Sequence, residues 1–204
     1  MRIVVTGFEP FGDEDVNPAW EAVRMLPDVI AGADIIKLRI PTAFGTCFQA
    51  TEEAIDQYGP DAVLSVGQAG GRFDVAVERV AVNIADGRIP DNDGFQPVDM
   101  TIREGGPDAY LVTVPVKAMV ERIRIRGIPA SVSYTAGTYV CNYLLYRLLH
   151  AAAERDTGFQ AGFVHIPYMP AQAVSKSSGT PSMSVETSAA AIEAAIEAIA
   201  MAPR

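Results

Sequence analysis

Apolar residues along this chain follow two alternating rhythms. Short, nearly unbroken apolar runs cover Arg2 to Thr6, Asp34 to Ile40, Ala62 to Val66 and Gly162 to His165. Runs of that length and character read as strands buried on both faces. Between them, apolar residues recur at helical spacing: Trp20, Val23 and Leu26; Phe44, Cys47 and Phe48; Ile192, Ile196 and Ile199. Punctuation falls at the joins. Asn17-Pro18 offers a cap and a first helical proline, Pro41 bounds a strand, and Gly59-Pro60 ends a helix. The pattern predicts helices from Asn17 to Leu26, Phe44 to Tyr58, Val116 to Arg126, Thr138 to His150 and Ser182 to Ala200, with Gly127 closing the third. Such alternation predicts a single-domain α/β/α sandwich around a largely parallel mixed sheet, spanning residues 1–204.

Three segments break the rhythm. Asp74 to Ala85 reads as one long strand, but its phase slips. Phe73, Val75 and Val77 are apolar at odd positions, whereas Val80, Val82 and Ile84 are apolar at even ones, with Glu78-Arg79 between. A bulge or bend is expected there. Asp86 to Asp108 is rich in Gly, Pro and Asp. It reads as a long excursion with a short strand near Val98 to Ile102. Ala171 to Pro181 has the composition of a mobile loop, close enough to His165 to cover whatever lies there.

Composition narrows the field. Of the 204 residues, 49% are hydrophobic and 20% charged, which suits an ordinary globular core. The balance of 25 Asp and Glu against 16 Lys and Arg argues against nucleic acid and anionic membranes as partners. Only two cysteines are present, which suits a reducing compartment better than a disulfide framework. The N-terminal apolar run is too short for a signal peptide, and no run is long enough to span a bilayer. The expected location is the cytoplasm.

Candidate chemistry gathers in Ser131-Val-Ser-Tyr-Thr-Ala-Gly-Thr-Tyr-Val-Cys-Asn142. This reads as a strand, a turn at Ala136-Gly137, and a helix whose first turn carries Cys141. Free N–H groups at a helix N-terminus favour a thiolate, the nucleophilic form of cysteine. A base is then needed, and the chain has two histidines. His150 lies about two and a half turns further along the same helix, out of reach. His165 closes an apolar strand, where active sites of α/β sheets collect. Glu78, at the phase slip, reads either as a strand-end ion pair or as the acid that orients His165. Phe8 and Phe11, after the first strand, read either as filler over the sheet edge or as a slot for a flat, weakly polar group. Gly67-Gln-Ala-Gly-Gly71 lacks the residues of a phosphate-binding loop, so its glycines are expected to permit close backbone approach, with Gln68 a candidate ligand contact. Cys47 reads as inert core, His150 as an outer helix residue without a role, and no grouping suggests a metal.

Jointly these segments resemble the pyroglutamyl peptidase family of cysteine peptidases over essentially the whole chain. Gly67-Gln-Ala-Gly-Gly71 through Glu78-Arg-Val-Ala-Val-Asn83 resembles the family's glutamate signature. Ser131 to Asn142 resembles its cysteine signature, and Gly162-Phe-Val-His-Ile-Pro-Tyr168 its histidine segment. Thr6-Gly-Phe-Glu-Pro-Phe-Gly12 with Asn17-Pro18 is also similar. The resemblance implies Cys141 as nucleophile, His165 as base and then acid, and Glu78 as orienter. It further implies Phe8 and Phe11 as pocket walls, Gln68 as a polar substrate contact and Arg88 near the oxyanion. Ala76 departs from the family's usual Ser or Thr, removing a hydroxyl two residues before the acid.

The implied substrate is a peptide beginning with pyroglutamate, cleaved through a thioester without metal or organic cofactor, by an enzyme that commonly forms homotetramers. Two other readings stand beside this one. A thiol amidase acting on a different N-blocked substrate would share the triad and differ in the slot. A non-catalytic ligand-binding protein of the same fold would have no use for all three triad residues.

Overall fold

The computed structural model describes residues 1–155 and 158–202. Its centre is a seven-stranded sheet, and the chain threads it in the following order. β1 (Arg2–Phe8) leads through α1 (Pro18–Arg24) to a short edge strand, β2 (Val29–Ile30), and to β3 (Ala33–Ile40). Then come α2 (Phe44–Tyr58), β4 (Ala62–Gln68) and β5 (Val75–Glu78). Four small strands follow: β6 (Val80–Val82), β7 (Ile84–Ala85), β8 (Met100–Thr101) and β9 (Ala109–Leu111). The chain ends with α3 (Val116–Ile125), β10 (Ala130–Ser133), α4 (Val140–Glu154), β11 (Gln160–Ile166), α5 (Pro170–Ala173) and α6 (Val185–Met201).

The sheet order is β10-β5-β11-β4-β1-β3-β2. β11, β4, β1 and β3 run parallel, whereas β5 is antiparallel to β11 and β2 to β3. β10 lies parallel to β5. Helices α1, α3 and α6 pack together on one face, and α2 packs with α4 on the other. This is the three-layer, largely parallel arrangement that the sequence predicts. β1, β4 and β11 are buried along almost their whole length, as strands covered by helices on both faces must be.

Local chemistry sets the element ends. Asn17 Oδ1 accepts from Ala19 N–H at 3.0 Å, with Pro18 at the first helical position of α1. Gly59 closes α2 in the left-handed conformation at φ 54°. α2 has no cap of its own; the buried carboxylate of Asp91 accepts from Phe44 N–H at 2.8 Å and does that work from the excursion.

The single strand expected over Asp74 to Ala85 is three strands in three different sheets. β5 belongs to the main sheet, β6 pairs with β9, and β7 with β8. The slip at Glu78-Arg79 is therefore the point where the chain leaves the main sheet, not a bulge within one strand. The side chain of Asn142 holds the departing segment. Its Nδ2 donates to Val82 C=O at 2.9 Å and Ile84 C=O at 3.0 Å, and its Oδ1 accepts from Val82 N–H at 2.9 Å. Residues 171–181 also depart from expectation. They begin inside α5, where Gln172 is buried, so the stretch is tied down at its start.

Replacing Asn142 with Ala should destabilise the chain by about 2 kcal/mol or more. It removes the partner of the Val82 N–H and of two carbonyls and leaves a void where the Asn142 side chain had no solvent exposure. Urea unfolding of the variant against the parent protein measures this.

Candidate active site

Cys141 is the second residue of α4, reached from β10 through residues 134–139. Gly137, at φ 76°, occupies a conformation that other residues adopt only under strain, and the turn depends on it. The helix starts two residues later than the sequence pattern suggests, which still leaves Cys141 in the first turn. α4 has no side-chain cap and no acidic residue in that turn. Its leading N–H groups thus remain free to face negative charge.

His165 is the penultimate residue of β11 and sits level with Gly67 on β4 and Ala76 on β5. Gly67 is the fitting piece. A Cβ there would lie 2.8 Å from the ring of Phe163 and 3.0 Å from Cys141 Sγ. Only a glycine lets the thiol and the aromatic ring close in on β4 from the α4 side. Gly70 serves similarly, since its missing side chain leaves room for Tyr168. Close approach is what the sequence predicts for this loop, and the geometry agrees.

His165 Nδ1 lies 2.8 Å from Glu78 Oε1, and the Glu78 side chain is completely buried. Phe163 packs against the imidazole with ring centroids 4.8 Å apart. Burial alone would push the imidazole toward its neutral form. Interaction with Cys141, both through charge and through a hydrogen bond, and with Glu78 outweighs that, raising the His165 pKa from 6.5 to about 9. The arrangement favours an imidazolium between Cys141 and Glu78. The structure thus brings Cys141, His165 and Glu78 together, and Glu78 is paired with the histidine.

Cys141 and His165 open onto a cavity of about 710 Å³, with Glu78 buried behind the imidazole. Phe8, Phe11, Gln68 and Arg88 all line it. Phe8 is also a core residue, 2% exposed, whereas Phe11 is half-buried and packs against Tyr139 at 6.3 Å between centroids. Gln68 Oε1 accepts from Gln172 Nε2 at 2.9 Å. That bond engages the amide oxygen and leaves the N–H₂ as the donor end of a residue that lines the cavity. Arg88 is exposed, and its segment is fastened to the cysteine loop: Asp86 and Thr138 exchange hydrogen bonds, and Tyr139 OH donates to Pro90 C=O at 2.9 Å.

Four contributors went unread in the sequence. Arg72 lines the cavity and approaches Glu78. Glu14 accepts from both Gln172 and Lys176, joining the opening loop to the segment after β11. Asn142 and Tyr139, neighbours of the cysteine, tether it to the excursion. A buried carboxylate asks for a cation, but the sequence offers Arg72 and the adjacent Arg79 alike.

The two remaining candidates are separate from this site. Cys47 has no exposure, its thiol lies 3.5 Å from Phe44 C=O, and burial pushes its pKa far up. His150 is not an outer residue as expected. Its side chain is 14% exposed, stacked on Tyr146 and bonded through Nδ1 to Tyr110 OH at 2.9 Å. Among the described residues there is no grouping of three or more His, Cys, Asp or Glu able to hold a metal. Nor is any helix among them long and apolar enough to cross a membrane.

Comparison with known proteins agrees along the whole length. A family model described as pyroglutamyl peptidase matches residues 1–202. The pyrrolidone-carboxylate peptidase of Levilactobacillus brevis is 53% identical over 202 residues, covering 99% of this chain and 98% of that protein. The one from Finegoldia magna is 53% identical over 199 residues, covering 98% and 93%. Among solved structures, pyroglutamyl peptidase I from Bacillus amyloliquefaciens superposes with a TM-score of 0.95 at 44% identity, covering 98% of this chain and 95% of that one. Pyrrolidone carboxyl peptidase from Thermococcus litoralis gives 0.93 at 39% identity, covering 97% and 92%.

Two outcomes follow from this geometry. Iodoacetamide should alkylate Cys141 in the folded chain and leave Cys47 unmodified until the chain is unfolded, as peptide mass mapping will show. A histidine C–H signal followed by NMR should assign His165 a midpoint well above 6.5, and Glu78→Gln should bring it down. Because the folded-state pKa is raised, the imidazolium stabilises the fold at pH below 6.5, and that contribution is lost as pH rises through about 9.

Proposed function

The chain belongs to the pyroglutamyl peptidase family, and on that premise we propose that it removes N-terminal pyroglutamate from peptides with Cys141, His165 and Glu78 as its catalytic triad. The observation that carries this is a helix-start thiol and a buried imidazole on one cavity, with a buried carboxylate paired to the imidazole from behind.

The chemistry runs in two halves. Cys141 thiolate attacks the carbonyl that joins pyroglutamate to the next residue. The oxyanion develops facing the free N–H groups of the first turn of α4, with Arg88 on the adjacent rim. Collapse breaks the C–N bond, and His165 donates its proton to the leaving amine. Water then enters, His165 takes its proton, and hydroxide attack on the thioester frees pyroglutamate and the thiolate. Glu78 holds His165 through Nδ1, which keeps Nε2 directed at the reaction.

Recognition rests on what pyroglutamate lacks. Its amine is locked into a neutral lactam, so the slot needs apolar walls and amide partners and no anion to read an ammonium. Phe8 and Phe11 supply the walls, and the Gln68 N–H₂ is poised to donate to the lactam carbonyl. The cavity is larger than the ring alone requires, leaving room for the residues that follow it. The net charge of −9, the two unpaired cysteines and the absence of a membrane-crossing helix among the described residues support a cytoplasmic setting. The family resemblance supports a homotetramer.

Hydrolysis of a fluorogenic pyroglutamyl amide tests the reading. Cys141→Ala and His165→Ala should abolish turnover, and Glu78→Gln should reduce kcat less severely. Phe11→Ala should raise KM about tenfold or more, because the ring then meets water where it met an apolar wall, while iodoacetamide still modifies Cys141 at the wild-type rate. N-terminal glutamine and glutamate amides should be refused, since a charged amine would enter the slot unpaired. Turnover of another N-blocked amide in place of the pyroglutamyl one would instead support a different thiol amidase.

A further inference from the structure

Arg72 stands where the cavity meets the buried acid. Its Nη2 lies 3.7 Å from Glu78 Oε1, the oxygen that also receives His165 Nδ1 at 2.8 Å. The same nitrogen donates to Ser133 Oγ at 3.3 Å and Thr135 C=O at 3.4 Å. Ser133 is the register partner of Glu78 across β10 and β5. The guanidinium is therefore anchored to the strand beside the carboxylate it approaches. Among the described residues, no other Lys or Arg comes within ion-pair distance of Glu78.

We propose that Arg72 is a positioning residue for the reaction, holding Glu78 ionised and aimed at His165 through the half of each cycle in which His165 carries no charge. This rests on the Cys-His-Glu chemistry above. When the C–N bond breaks, its electron pair stays on nitrogen and the proton moves from His165 to the leaving amine. His165 is then neutral until it takes a proton from water. During that interval Glu78, completely buried and with no hydrogen-bond partner for Oε2, loses its counter-charge. A buried, unpaired carboxylate is costly and draws a proton to itself. The nearest is the Nδ1 proton of His165; if it crosses to Glu78 as Nε2 takes a proton from water, the pair ends as a neutral Nε2–H imidazole beside a protonated acid, and the ion pair is lost. A guanidinium keeps its charge throughout, because it does not deprotonate in proteins. Exposed ion pairs contribute little because water screens both ends. Here one end, the carboxylate, has no exposure, and Arg72 itself is 33% exposed.

A double-mutant cycle on the pyroglutamyl amide decides the matter, using wild type, Arg72→Gln, Glu78→Gln and the pair, with Arg72→Lys beside them. Arg72→Gln should lower kcat about tenfold or more and change KM by less than about twofold, the signature of an interaction felt in the chemical steps. In the Glu78→Gln background, where there is no carboxylate to hold, the same substitution should cost less than about threefold. Arg72→Lys, which retains the charge, should recover much of kcat, and it carries the test if the glutamine variant fails to fold. Losses that multiply, or a raised KM with unaltered kcat, would overturn the inference; the second would place Arg72 on the peptide. No turnover by the wild type would overturn the proposed function and this inference together, whereas turnover with multiplying losses overturns this inference alone.

Discussion

One buried pair organises the rest of this molecule: the imidazole of His165 against the carboxylate of Glu78, 2.8 Å apart, with Glu78 wholly removed from solvent. A carboxylate in that position is tolerated only with a charge beside it. The demand propagates outward. It requires β5 to sit next to β11, although the two run antiparallel in an otherwise parallel centre. It requires the chain to quit the sheet immediately after Glu78, so that the acid is a strand end and not mid-strand filler. It also leaves room on the cavity side for a second cation, which Arg72 fills.

Phe8, Gln68 and His165 face the cavity from strand ends of the sheet, and its remaining walls are held by polar ties between loops. Asp91 caps α2 from the excursion, and Tyr139 and Thr138 bind the same excursion to the cysteine loop. Gln172 bridges Glu14 and Gln68, so the aromatic slot, the glutamine loop and the segment after β11 share one side-chain amide. Loops positioned in this way can present ligand-facing groups with the precision of regular elements.

Much of this was legible in the sequence because it depends on local rules. Buried strands, helix caps at Asn17 and Gly59, and the placement of Cys141 near a helix start follow from spacing and from residues that dictate backbone conformation. The long strand over Asp74 to Ala85 misled because β propensity reports extended backbone and says nothing of which sheet receives it. β2 and β9 were missed for a similar reason; two or three residues pairing with a distant partner leave no periodic mark. His150 looked peripheral by helical spacing, yet tertiary contacts from Tyr110 and Tyr146 enclose it. Arg72 sits among glycines in a loop, where no pattern marks an arginine as the neighbour of an acid on the next strand.

The ties that complete the site are nearly all remote in sequence. Lys176 reaches back to Glu14 near the N-terminus, and His165 to Glu78 across the middle of the chain. A growing polypeptide therefore carries Cys141 before it carries β11, the strand that bears His165. Until β11 has entered the sheet, that cysteine lacks the imidazole of its pair, and the aromatic slot has no floor from Phe163 beneath Phe8. In the proposed mechanism, pairing of Cys141 with His165 waits on the entry of β11 into the sheet.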